Sequence, residues 1–153
     1  MVKCIWFCLM FAMSLHAQAC TGSLVVFRGL NDVLDQHAVQ QYAKHYNLCM
    51  RVFSWQQHHE AIAVIDRGIN NYHLYGFSKG AESAMKVVQY VKRKPTLVVT
   101  VGAYKTTDVD FSKFNINFIN IFDRSGLGQR SPGVFVDVPH YKAQQAANQI
   151  LLK

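Results

Sequence analysis

The chain has 153 residues, the size of one domain, with 50% hydrophobic and 16% charged residues, which excludes a disordered or fibrous protein. Sixteen lysines and arginines against nine acids leave a net charge of +7. They are scattered, so the excess permits weak attraction to acidic surfaces without composing a nucleic-acid interface. The densest cluster, Lys92-Arg93-Lys94, falls where a helix would be ending, a position that the helix dipole favours for cations.

The first nineteen residues read as a segment apart from the fold. Lys3 precedes a run from residue 4 to residue 15 that is apolar except for Ser14, and small residues follow at Ala17 and Ala19. This is the organisation of a secretory signal peptide cut after Ala19, and the run is too short to span a bilayer comfortably. The predicted domains are therefore a signal peptide, 1–19, and one folded domain, 20–153, in a secreted or periplasmic protein. Cys4 and Cys8 leave with the leader, and Cys20 becomes the first mature residue. Two fates are open to it. A disulfide with Cys49 suits an oxidising compartment. A lipid anchor at a processed cysteine is the alternative, although Ala17 stands where such signals usually carry leucine. Peripheral or lipid-anchored association with a membrane follows from the second.

From residue 23 onward, apolar strands alternate with helical patterns. Residues 23–28 form a continuous apolar strand of the kind buried on both faces of a parallel sheet. Residues 35–48 have Ala38, Val39, Tyr42, Ala43 and Tyr46 at helical spacing. A second strand, 49–55, precedes a helix over 56–67, which Gly68 would close as a C-terminal cap. The third strand is 72–77, and the helix after it, 80–93, cannot extend past Pro95. Residues 96–103 are the clearest strand of all. Two more follow at 118–122 and 134–138, before a last helix over 141–152. Strand–helix alternation at this spacing predicts an α/β three-layer sandwich with a mostly parallel sheet of about six strands. Too few residues join the last strands for a helix in every crossover, so one irregular crossover is expected.

One motif carries chemistry. Gly76-Phe77-Ser78-Lys79-Gly80 is G-x-S-x-G, with a strand before it and a small-residue helix after it. A serine on a sharp strand-to-helix turn projects its hydroxyl above the sheet edge, and the strained turn needs glycines two residues to either side. The same residues would also make an ordinary helix N-cap. A nucleophilic serine needs a base, and His140 is the one histidine after Ser78. It lies beyond the last strand, at the edge where catalytic groups gather in open α/β sheets. The base in turn needs a carboxylate to hold its tautomer. Asp123 directly follows a strand on that edge; Asp108 and Asp110 lie in a polar loop, and Asp137 is read as pointing away within a strand. His58, His59 and Glu60 do not make a metal site, because adjacent helical side chains diverge and no third ligand has the right spacing. No metal or cofactor is expected.

Taken together, strand, G-x-S-x-G, helix, strand, strand ending in Asp, strand ending in His and helix resemble the C-terminal arrangement of the α/β-hydrolases. The chain order Ser78…Asp123…His140 is theirs. The resemblance runs over nearly the whole mature chain, which is similar to cutinases and small lipases in lacking a cap and the family's first two strands. It implies a reduced α/β-hydrolase fold and a serine hydrolase that cleaves a small-molecule or lipid ester or thioester through an acyl-enzyme. It also implies an oxyanion hole made by the backbone N–H of Lys79 and that of Gly29 or Leu30. The His-Gly usual in that last loop is replaced by Arg28-Gly29. Phe77, Trp55, Tyr104 and Tyr141 are the candidate pocket aromatics. A peptidase or amidase using the same triad is the alternative activity, and a catalytically silent binding protein of the same fold is the alternative class.

Overall fold

The computed structural model describes residues 19–103, 111–125 and 133–153. Residues 1–18 of the predicted leader, Tyr104, Asp108 and Asp110 lie outside them. Six strands, β1 (Gly22–Phe27), β2 (Leu48–Phe53), β3 (Tyr72–Phe77), β4 (Leu97–Val101), β5 (Asn117–Phe122) and β6 (Val134–Phe135), form one sheet in the order β2-β1-β3-β4-β5-β6. All five pairings are parallel. The helices α1 (Gln36–His45), α2 (His58–Gly68), α3 (Lys79–Tyr90) and α4 (Ala143–Leu151) cover both faces. The three-layer α/β sandwich predicted from the alternation is the architecture found.

Each sheet face has its own core, because side chains alternate across a strand. Leu24 and Val26 of β1 pack with Val39 and Tyr42 of α1 and with Ala147 and Leu151 of α4. Val25 and Phe27 pack with Ile65 of α2 and with Val87 and Val88 of α3 on the other face. Burying both faces is what makes the strand sequences continuously apolar.

Some boundaries differ from the expected ones for identifiable reasons. Asp35 is not the first residue of α1 but its cap, accepting a hydrogen bond from the Ala38 N–H at 3.0 Å. Gly68 is the last residue of α2 rather than its cap; Ile69 takes that place with ordinary negative φ. Helix α3 ends at Tyr90, short of the basic cluster, and the Lys94 ammonium reaches back to donate to the carbonyls of Val88 and Val91. Strand β6 is two residues long, so Asp137 lies outside it and is exposed. In the irregular crossover from β4 to β5, the described part holds a single 3-10 turn, Phe111–Phe114.

A disulfide joins Cys20, just before β1, to Cys49 in β2, with Cα atoms 5.4 Å apart. That bond occupies the sulfur that a lipid anchor would need, so the two fates of Cys20 exclude one another.

Candidate active site

The topology brings the predicted residues to one edge. The chain leaves β1 toward β2 on one side and later takes up β3 on the other, so the C-terminal ends of β1 and β3 flank the point where strand order reverses. Crevices in open α/β sheets form there. Gly29 follows β1 and Ser78 follows β3, and a Cβ added to Gly29 would sit 3.3 Å from the Ser78 Cβ.

Ser78 has φ 54° and ψ −118°. These are the angles of the first central residue of a type II′ turn, where glycine is preferred and a serine is strained. The surroundings hold it there. The Ser78 N–H donates to the Val101 carbonyl at 2.9 Å, continuing the β3–β4 ladder. A side chain on Gly76 would meet the Ala81 Cα at 2.5 Å, and one on Gly80 would fall on the carbonyls of Phe27 and Arg28. Both glycines are therefore required by close backbone approach. The Ser78 hydroxyl makes no capping hydrogen bond to its helix. An ordinary N-cap has extended backbone angles and a side chain bonded to the helix, and Ser78 has neither.

His140 and Asp123 are joined. The Asp123 carboxylate is fully buried and its Oδ2 lies 2.6 Å from His140 Nδ1. Its other oxygen, Oδ1, accepts from the Ser125 N–H at 2.8 Å and from the Ser125 hydroxyl. Each oxygen thus has a defined partner, which fixes the plane of the carboxylate. The imidazole is stacked on Phe77, with ring centroids 4.8 Å apart and planes 22° from parallel. Its side chain keeps 29% exposure, so it is reachable from solvent. Phe77 is buried and forms the floor beneath the imidazole rather than a pocket wall.

The oxyanion candidates separate. The Gly29 N–H donates to the Val33 carbonyl at 2.9 Å. It is already used, which leaves Leu30 as the candidate from that loop. Lys79 is the first residue of α3, at the positive end of the helix dipole. Its ammonium pairs with Glu82 at 2.7 Å and lies 5.6 Å from the centre of the Trp55 ring. Trp55 is half-buried and Tyr141 is 70% exposed. Beside the loop after β1 lies a cavity of about 260 Å³ lined by Arg28, Asp32, Leu34, Gln36, Met50 and Val52. Among the described residues, no three metal-ligating side chains converge.

Two contributors escaped the sequence reading. Gly102 has φ 58°, and a Cβ there would sit 2.8 Å from Asp123 Oδ2 and from His140 Nδ1. It opens the space that the pair occupies. It lies inside the strand expected over 96–103, but β4 ends at Val101 and Gly102 begins the turn that follows. Ser125 stands two residues after Asp123, the spacing at which an aspartate bonds back to its own turn.

No family model and no curated protein matches the sequence. Solved structures do resemble the fold. A proposed hydrolase of the α/β superfamily from Xanthomonas campestris pv. campestris superposes with a TM-score of 0.64 at 12% identity, over 86% of this chain and 96% of that one. A proposed YdeN-like hydrolase from Pectobacterium atrosepticum gives 0.52 at 17% identity, over 81% of each chain. With the parallel six-stranded sheet and its helices on both faces, these likenesses assign the chain the α/β-hydrolase-like fold in reduced, three-layer form.

Proposed function

We propose that the protein is a secreted serine hydrolase that cleaves an ester or thioester by acyl transfer. The observation that carries this reading is the buried Asp123 carboxylate 2.6 Å from His140 Nδ1, at the sheet edge where Ser78 sits on a strained turn. With Nδ1 held by the carboxylate, Nε2 is the nitrogen available to take the Ser78 proton. Ser78 Oγ attacks the carbonyl carbon, and its proton passes to His140. The tetrahedral oxyanion is held by the N–H groups of Lys79 and Leu30. Collapse expels the alcohol or thiol, protonated by His140, and leaves an acyl-enzyme. Water activated by His140 then releases the acid and restores the serine. The likeness to two proposed hydrolases supports this class. The Cys20–Cys49 disulfide is compatible with an oxidising compartment outside the cytoplasm.

The test is labelling by a fluorophosphonate probe, which requires an activated serine. Wild-type protein should be labelled, and Ser78→Ala and His140→Ala should not. A folded wild-type protein that takes no label would refute the reading.

A further inference from the structure

His140 is poorly anchored by the sheet. It lies five residues beyond β6, and that strand is itself only two residues long, paired through Ile121 with Val134 and Phe122 with Phe135. Past it, besides the Asp123–His140 bond itself, four hydrogen bonds among the described residues join the segment that carries His140 to the segment that carries Asp123. Two are backbone bonds, from the Val136 N–H to the Phe122 carbonyl at 2.9 Å and from the Arg124 N–H to the Val138 carbonyl at 3.1 Å. The other two come from one side chain. Arg124 Nε lies 2.8 Å from Asp137 Oδ1, and Arg124 Nη2 donates to the Asp137 carbonyl oxygen at 3.1 Å. Arg124 directly follows Asp123, and Asp137 precedes His140 by three residues.

We propose that Arg124 is a positioning residue, a strut that holds the His140 segment at the separation the Asp123–His140 hydrogen bond requires. The inference rests on the triad reading given above. A planar guanidinium suits the task because it donates along two fixed directions, which a lysine cannot reproduce. Both side chains are largely exposed, at 61% and 73%. Exposed ion pairs contribute little to global stability, so a purely structural function is a weak use of this geometry. Placement is a different matter, since a shift of about 1 Å in a catalytic group can cost up to about 10²-fold in rate.

The experiment measures kcat and KM for a p-nitrophenyl ester, the thermal midpoint, and the far-downfield proton resonance of His140 Nδ1, assigned by its loss in His140→Ala. Arg124→Ala should lower kcat about ten-fold with KM little changed, within the range that small misplacements produce. It should also shift or broaden the resonance while leaving the thermal midpoint nearly in place. Arg124→Lys should fall between it and wild type. Asp137→Ala should cost less than Arg124→Ala, because Nη2 keeps the Asp137 carbonyl. The double variant should match Arg124→Ala alone, since the carboxylate has no task once the guanidinium is gone. A wild-type resonance and wild-type kcat in Arg124→Ala would overturn the strut, whatever its thermal midpoint. If Ser78→Ala still hydrolyses the ester, the triad reading has failed. The resonance, which needs no substrate, then decides the strut alone.

Discussion

Gly102 and His140 are in contact at the α-carbon: a methyl group placed on Gly102 would lie 2.5 Å from the imidazole Cε1. The imidazole is seated in a space that exists because this position has no side chain. Gly102 also has φ 58°, a conformation costly for other residues.

Gly102→Ala should therefore lose activity more than stability. The backbone strain costs about 1 kcal/mol. The added methyl also pushes His140 off the Asp123 carboxylate, and turnover should fall about 10²-fold. Ester hydrolysis and a thermal melt of the same sample check both. Activity close to wild type would show that the imidazole can retreat without leaving its carboxylate.

Ser78→Gly and Ser78→Ala should both be inactive but should differ in stability. Glycine accepts φ 54° and ψ −118° without strain, whereas alanine keeps the Cβ penalty. Relief of the turn should make Ser78→Gly more stable than Ser78→Ala by about 1 kcal/mol, read by denaturant unfolding. Equal stabilities would mean that the turn stores no strain.

Asp123→Asn should keep the fold and lose turnover, by up to about 10⁴-fold on the precedent of another serine hydrolase, because an amide favours the wrong imidazole tautomer. Asp137→Asn keeps an oxygen for Arg124 and should change little. Asp108→Asn and Asp110→Asn belong in the same assay. A larger loss at either of these than at Asp123 would move the acid to the loop after β4.

Reducing the Cys20–Cys49 bond should destabilise the protein by about 3–4 kcal/mol, the chain-entropy value for a closed loop of this length. The separation is 29 residues, and the bond ties the start of β1 to β2. Unfolding in denaturant with and without reductant measures it. An unchanged midpoint would show that the tether does not constrain the unfolded chain.

Stability should fall on acidification through His73. Burial lowers its pKa, and its Nδ1 is 2.8 Å from the hydroxyl of Tyr42, a phenol that burial keeps protonated. The folded state thus holds His73 neutral while the unfolded chain binds a proton below about pH 6.5. The contribution is complete above that value and is lost as the pH drops toward the lowered folded pKa. His73→Asn, which can still accept from Tyr42, should flatten the dependence of the thermal midpoint between pH 7.5 and pH 5. A slope equal to that of wild type would assign the acid sensitivity to another group.

The local signals in this sequence were enough for the architecture and for naming residues that the fold brings to one sheet edge. Runs such as Leu97–Val101 can be continuously apolar only where both sheet faces are covered, and strand–helix alternation then makes the sheet parallel. In such a sheet the strand ends share one edge, which is why Ser78, Asp123 and His140 could be selected from their places after strands. Position along the chain carries no information about what each backbone group already bonds. Only the fold shows that the Gly29 N–H is taken by Val33, that Gly102 makes room for His140, and that Arg124 bridges to Asp137 thirteen residues away. The same limit explains Asp137, read as a strand residue from its apolar neighbours. Strand β6 ends at Phe135, and the backbone beyond it turns to bond Phe122 and Arg124 instead. Pattern along a chain determines which elements form and which edge they share; distances between elements belong to the packed structure, because non-local contacts alone decide them.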